Sequence, residues 1–518
     1  MSSISGTVTD PTGSPLPGTA IVVCNLENGA QRKLVSDDVG RYATLSLPVG
    51  TYEVIGVKEG FRSISRTGIA LIAGQAAEVA LELPLAQAGQ ASESTDERIR
   101  QLEQKVAELE KEAIANQTAS PTNSNRHNAA STTADTTGFT IRSEDGNFVL
   151  HIGADLQIDN RTYVGAGSSA DVDTIVPRRV RPTLYGTVYK YVDFFIRPDF
   201  GLGTTALYDA YVQLNYFSWA QIRAGKFKPP IGMERLQSDD DTNFVERGLP
   251  TLLVPQRDIG YQMGADLLHR RLSYQIGVFN GVPDSSIGTD TAVSNHRDYA
   301  ARVFLTPFQP DEKNLLKGLG VGFAASGGNT DGEALPSFKT LGQVSFMTFN
   351  SGVIPEGHRT RLAPQAYYYL GPFGVLTEYG LNEEGFEKDD VRRNIAFRAY
   401  QAQVTYILTG ESKSFASPTP KRAFDPVHHG GWGAVELAVR VADFEAENGI
   451  YTYGLVNPAT SPRHLHEWTG GVNWYLNRLV RISADYGNTA FGGGAAVSAG
   501  GNRPAEKVII LRFQLNFT

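Results

Sequence analysis

The segment Ile509-Ile510-Leu511-Arg512-Phe513-Gln514-Leu515-Asn516-Phe517, at the end of the chain, alternates residue by residue. Successive side chains of a β-strand project to opposite sides, so Ile509, Leu511, Phe513, Leu515 and Phe517 share one face. Ile510, Arg512, Gln514 and Asn516 share the other, which is mostly polar. The same design recurs upstream. Ala210, Val212, Leu214 and Tyr216 oppose Asp209, Tyr211, Gln213 and Asn215; Tyr400, Ala402, Val404 and Tyr406 oppose Gln401, Gln403 and Thr405; Val435, Leu437, Val439 and Val441 oppose Glu436 and Arg440. Strands this numerous need either closure or a second sheet to cover them.

The pattern persists from residue 138 to residue 518 without a break that would divide it into domains of ordinary size, which favours one closed barrel over a series of sandwiches. Trp219, Trp432, Trp468 and Trp474 are expected near strand ends, where aromatic girdles of membrane barrels lie. No run of about 18 apolar residues occurs, so a transmembrane helix is excluded. A membrane barrel has a polar average all the same, since half of each strand faces water. The fold class is therefore all-β, with a transmembrane antiparallel β-barrel over 138–518.

Three further segments precede the barrel. Residues 1–88 hold short Val/Ile/Leu-rich strands between turn clusters such as Asp10-Pro11-Thr12-Gly13 and Leu47-Pro48-Val49-Gly50. The runs Gly6-Thr7-Val8-Thr9-Asp10, Leu16-Pro17-Gly18-Thr19, Gly40-Arg41-Tyr42 and Pro48-Val49-Gly50-Thr51-Tyr52 resemble the carboxypeptidase regulatory-like domain. That resemblance implies a prealbumin-like β-sandwich with no catalytic residues of its own and an accessory or docking role. In residues 93–116, Ile99, Leu102, Val106, Leu109 and Ala113 recur in steps of three and four. The spacing fits a short coiled coil that self-associates, and equally a solvated helix, because only two to three heptads are present. Residues 117–137 are small and polar, the composition of a disordered linker.

Composition excludes several classes of function. The net charge of −8 offers nucleic acid no basic surface. One cysteine, Cys24, rules out an intrachain disulfide. His428-His429 and His464-Leu465-His466-Glu467 lack the spacing of a metal site, so no metal and no cofactor is expected. No nucleophile elbow or phosphate-binding Gly-Lys-Thr loop occurs, and the chain is not expected to be an enzyme. Met1-Ser2-Ser3 begins a stretch without the basic and apolar regions of a secretory signal.

From Val176 onward the sequence resembles the phosphate- and pyrophosphate-selective porins. The resemblance rests on Arg178-Arg179-Val180-Arg181, Tyr185-Gly186-Thr187, Asp209-Ala210-Tyr211, the run Gly225-Lys226-Phe227-Lys228-Pro229-Pro230-Ile231-Gly232-Met233-Glu234, Phe244-Val245-Glu246-Arg247 and Gly277-Val278-Phe279-Asn280-Gly281. It continues through Tyr406-Ile407-Leu408-Thr409-Gly410-Glu411, Gly433-Ala434-Val435-Glu436-Leu437 and Gly471-Val472-Asn473-Trp474-Tyr475-Leu476-Asn477. It implies a sixteen-stranded homotrimeric barrel in the bacterial outer membrane, its N-terminal domain periplasmic, passing small inorganic or organic anions of the phosphate type. An infolded third loop and a ladder of arginines would guide them.

Carried over by position, Arg178, Arg179, Arg181, Arg235 and Asp209 line the anion path. Lys226, Lys228, Asp239, Asp240 and Asp241 belong to the constriction loop. Alternation adds Arg197, Arg302, Arg440, Arg481 and Arg512 to the lumen, against Asp199, Glu378, Glu436 and Asp485. It also sets Arg179 and Arg181 on one face and Arg178 on the other. Asp155 and the Asp239–Asp241 run stand where the family carries bases, and each close carboxylate repels an anion by roughly 1–4 kcal/mol, which weakens phosphate selectivity. The alternative function is a non-transporting outer-membrane anchor whose N-terminal domain binds a partner.

Overall fold

The computed structural model describes residues 2–26, 30–71, 76–85, 130–135, 138–165, 172–288, 294–309, 314–428, 430–494 and 503–518. They fall into two units, 1–126 and 127–518. The coiled coil expected over 93–116 and the linker over 117–129 lie outside the described residues, as does His429.

The first unit is a β-sandwich. One sheet centres on Ser2–Thr9, which pairs with Arg41–Leu47 on one edge and with Ala76–Glu78 and Leu81–Glu82 on the other. The second runs Gln31–Val35, Ala20–Asn25, Gly50–Val57 and Ile64–Leu71. Alternate residues Ile4, Val8, Ile21, Val23, Tyr52, Val54 and Leu81 face each other and form the dry interior. The Tyr42 hydroxyl donates to the Val79 carbonyl at 2.6 Å, and burial pushes its pKa up to about 12. Gly6 lies against that same carbonyl. A Cβ there would come within 1.9 Å of the Val79 oxygen, so the position requires glycine. Cys24 is a half-buried free thiol.

The second unit is a closed antiparallel barrel of sixteen strands. It closes where Asp155–Tyr163, in the strand Phe148–Tyr163, pairs with Val508–Asn516 of the strand Glu506–Asn516. The remaining edge of that first strand is taken by Gly138–Arg142, which in turn pairs with Ser131–Asp135. Ser131–Asp135, expected as the end of the linker, is thus a strand. Its Thr-rich sequence suits extended backbone, and the neighbouring edge supplies hydrogen-bond partners.

The outward face is apolar, as alternation requires: Ile509, Leu511 and Phe513 are exposed while Arg512 and Gln514 are buried, and Val435 to Val441 behave alike. Trp219 and Trp432 lie in connections beyond strand ends, and the Trp474 indole donates to the Trp432 carbonyl at 2.7 Å. Trp468, by contrast, sits inside the strand His464–Tyr475 and packs on Tyr486 at 5.3 Å.

One flank departs from a uniform barrel. Ile354–Leu370, Phe373–Lys388 and Val391–Ile407 have 17, 16 and 17 residues, against the roughly 9–11 that cross a bilayer. The last two are joined by Asp389-Asp390 alone, both left-handed with φ of 52° and 60°, which suits the twist of a tight hairpin. In this tall region the inward face turns apolar. Phe386, Phe397, Phe444 and Phe491 pack around Phe338 and Phe346 of the connection 332–353, which bends into the barrel. The inward face, expected to be mostly polar, is apolar here because an inserted segment covers the wall.

Candidate solute pathway

The connection 228–257 follows the strand Ala220–Phe227, ends its pairing at Pro229-Pro230 where no N–H is available, and runs inside the barrel to the strand Asp258–Leu267. Carboxylates and amides of the far wall hold it. Glu378 accepts the N–H groups of Met233 and Glu234 at 2.5 and 3.2 Å. Glu234 in turn accepts from Gly248 N–H, Gln401 and Gln403 at 2.8, 2.9 and 2.9 Å. Asp485 accepts the Val245 N–H at 2.6 Å.

Three arginines expected in the lumen complete this clamp. Arg440 donates to the Glu246 carbonyl at 2.9 Å, Arg481 to that of Thr242 at 2.9 Å, and Arg512 to that of Val245 at 2.6 Å. All three are buried beneath the loop. Their faces were legible from alternation, but their partners are the loop's backbone and the neighbouring side chains Glu467, Gln514 and Asp159.

Arg178 and Arg179 both turn inward. A β-bulge opposite Gln157/Ile158 inserts one residue, which breaks strict alternation and brings Arg178 to Glu246 at 2.7 and 3.2 Å. The opposite-face expectation for Arg178 is corrected accordingly. Arg179 lies 3.6 Å from Asp239 and donates to Gln157. Arg181 binds Asp199 at 2.7 Å and Asp239, and Arg247 also binds Asp239. One carboxylate therefore faces three guanidinium groups. Asp209 pairs with Arg257 at 2.6 and 3.2 Å.

The other loop acids have separate partners. Asp240 accepts from Ser238 Oγ at 3.2 Å and Gln157 Nε2 at 3.4 Å, while Asp241 accepts the Ser417 N–H at 2.7 Å. Asp155 is buried 3.9 Å from Arg181. Arg235 donates to the Thr251 carbonyl at 2.6 Å, and Lys228 to that of Gln237 at 2.7 Å. Lys226, expected in the loop, is instead part of the strand and pairs in register with Ala210 and Ile259. Its row alternates with the one that carries Arg223 and Phe227.

A second segment enters from the end of the barrel bearing the short hairpins 189–191, 218–219 and 371–372. In the connection 408–433, Lys413 bridges Glu436 and Asn243 at 2.8 and 2.7 Å, and the Phe415 carbonyl accepts from Gln237 at 2.6 Å. The open space is consequently eccentric. A cavity of about 290 Å³ lies against Arg178, Arg179, Arg181, Arg235 and Arg247, and a chamber of about 440 Å³ follows, bounded by Arg197, Asp209, Lys228, Asp239, Arg257 and Arg302. Asp239 and its guanidinium partners stand between them, where cations outnumber carboxylates.

Arg247, Arg257 and Glu246 were not singled out as site residues in the sequence. Glu246 and Arg247 fall within a family motif, whereas nothing local marks Arg257. Also missed was the buried set in which Arg359 meets Asp298, Glu333 and Glu384 at 2.9, 3.2 and 3.3 Å, while Arg361 meets Asp284 and Asp298 at 2.6 and 2.8 Å. His466 pairs with Asp443 at 2.9 Å, and among the described residues no group of three metal-ligating side chains forms.

A closed sixteen-stranded barrel, apolar outside and holding charged cavities beside an infolded loop, defines a porin, a channel of the outer membrane rather than an enzyme. Residues 150–517 match the family described as phosphate-selective porin O and P, and residues 3–84 match the carboxypeptidase regulatory-like domain. The first match spans well over half of the sequence, and the chain belongs to the phosphate-selective porin O and P family. Porin O of Pseudomonas aeruginosa is 26% identical over 385 residues, covering 67% of this chain and 84% of that protein. Among solved structures, the outer membrane channel DcaP of Acinetobacter baumannii aligns with 72% of this chain and 99% of its own, at 9% identity and a TM-score of 0.47. The anion-selective porin from Comamonas acidovorans aligns with 71% and 99%, at 11% identity and a TM-score of 0.44.

Proposed function

We propose that this porin is a passive diffusion pathway for small hydrophilic anions, phosphate-like solutes included, with selectivity weakened by carboxylates at its narrowest part. The observation that carries the reading is the meeting of Arg179, Arg181 and Arg247 at Asp239. Guanidinium groups keep their charge at every physiological pH and offer donors that replace lost hydration. A resident carboxylate takes up part of that capacity, so passing anions bind weakly and leave again. In this reading Arg178, Arg179, Arg181, Arg235 and Asp209 line the path, Lys228 and Asp239–Asp241 tune it, and Lys226 stands apart. Three copies assemble in outer-membrane lipid with the N-terminal sandwich in the periplasm.

Planar-bilayer recording in a potassium chloride gradient tests the proposal. Chloride is expected to be the preferred ion, and a reversal potential showing strong potassium preference would reject the anion route. A second reading, an anchor that does not transport, is favoured by the dry packing around Phe338 and Phe346, which fills part of the lumen. It predicts no ohmic conductance from purified, folded protein.

A further inference from the structure

The chamber of about 440 Å³ beyond Asp239 carries a feature that simple anions do not need. Phe195, Tyr211 and Phe227 on its wall belong to a file of six rings that spans seven consecutive strands, the sixth strand contributing none. His151 stacks on Tyr185 at 4.7 Å, Tyr185 meets Phe195 at 5.9 Å, Phe195 stacks on Tyr211 at 5.4 Å, and Tyr211, Phe227 and Phe279 continue at 6.0 and 5.6 Å. Register explains the file. Tyr185 sits directly opposite both His151 and Phe195, and Phe195 opposite Tyr211, on the row that alternation assigns to the lumen with Arg181, Arg197 and Asp209. Because barrel strands tilt by about 35–45°, a row across them forms an oblique ramp rather than a level ring.

Beside the ramp stand three cations without carboxylate partners. Arg197 donates to Thr183 Oγ1 at 3.0 Å, Arg223 to Gln213 Oε1 at 2.9 and 2.6 Å, and Arg302 to Gln365 Oε1 at 3.2 and 3.1 Å. Among the described residues none of the three forms an ion pair. Each guanidinium instead lies over a ring: Arg197 over Phe195 at 4.8 Å, Arg223 over Tyr211 at 4.3 Å, and Arg302 over Phe304 at 4.7 Å. Their hydrogen bonds go to neutral acceptors, with Asp209 across the strand from Arg197 the nearest acid in register, whereas Arg181 and Arg257 are held directly by aspartates. Phe415, from the inserted connection 408–433, borders the same space.

We propose that this chamber is a subsite for monoanionic aryl carboxylates, the ring of the solute lying along Phe195 and Tyr211 and its carboxylate on Arg223 with Arg197 or Arg302. Half-exposed rings next to guanidiniums that no carboxylate ion-pairs give such a solute two attractions at once, face contact and charge-assisted hydrogen bonding. An inorganic anion gains only the second. The inference rests on the diffusion-pore reading and extends it by naming a solute class.

The test measures block of the chloride current through the purified full-length porin by benzoate, with acetate and benzamide as controls that keep only the charge or only the ring. Benzoate is expected to reach half-block at a concentration lower than either control by about five- to tenfold, the worth of one aromatic contact. Tyr211→Leu should remove most of the advantage over acetate while leaving acetate itself unchanged, and Arg223→Gln should remove most of the advantage over benzamide while weakening acetate block as well. Should either variant fail to give a folded barrel, Arg302→Gln and the wild-type comparison decide the matter. Equal block by benzoate and acetate, or an advantage that survives the substitutions, overturns the aryl subsite and leaves the pore standing. Absence of any chloride current removes the pore reading itself.

Discussion

Asp159 and Arg512 face each other across the seam where the last strand of the barrel meets the first. The guanidinium holds the carboxylate at both oxygens, with Nε–Oδ1 at 2.6 Å and Nη2–Oδ2 at 2.8 Å. The same arginine donates to the Val245 carbonyl, so closure of the cylinder and seating of the inner loop share one side chain.

Removing it leaves the buried Asp159 with Arg161 at 3.3 Å and a loop carbonyl without its donor. Arg512→Leu is expected to cost about 3–5 kcal/mol, the usual penalty for breaking a buried pair from one side. Gel electrophoresis across a temperature series reads this directly, as a clear drop in the temperature at which the folded band converts to the unfolded one. An unchanged conversion temperature would show that the seam does not depend on this pair.

Asp239→Asn takes one negative charge from among Arg179, Arg181 and Arg247. A unit charge at about 4 Å acts on a passing ion with roughly 1–4 kcal/mol between aqueous and partly shielded conditions. The chloride-to-potassium permeability ratio should therefore rise severalfold, most visibly at low salt. Asp240→Lys should move the ratio in the same direction. A response to Asp240→Lys alone would place the ion route on the other side of the loop.

Phe415 enters from the opposite end of the barrel and packs on Tyr367 at 5.7 Å. Truncating it to alanine widens the chamber without altering charge. Single-channel conductance is expected to increase while the reversal potential stays constant, and a shift in reversal potential would count against a purely steric role.

The N-terminal sandwich supplies a pH signature of its own. Burial raises the Tyr42 pKa from 10.0 to about 12, so the folded form favours the neutral phenol. Stability from this source is complete below pH 10 and is lost as pH climbs toward 12. Limited proteolysis of the full chain should show the sandwich opening over that interval. Tyr42→Phe should abolish this alkaline component, at a cost near neutral pH of about 1 kcal/mol for the lost bond to Val79.

The barrel was legible because period two is a local property: the faces of Leu511 and Arg512, or of Val439 and Arg440, follow from backbone geometry alone. What the pattern lacks is depth. Phe397 and Gln401 share an inward face, yet one meets Phe338 and the other Glu234, and only the paths of the inserted connections distinguish them. Arg178 escaped for a different reason, since a single extra residue in a strand resets the alternation without leaving a mark in the sequence. Arg440, Arg481 and Arg512 were placed on the lumenal side, but no spacing rule tells a solute ligand from a clasp on a carbonyl. Arg257 and Asp209 lie 48 positions apart, beyond the reach of any motif.

The loop 228–257 is fastened at Glu378, Gln403, Arg440, Asp485 and Arg512, each on a different strand of the opposite wall. It thus works as a crossbeam as well as a narrowing. Squeezing the cylinder loads those joints, and swinging the beam aside would rupture several together. Such a passage has its bore set at assembly, and traffic through it is governed by the chemistry of its lining rather than by a moving door.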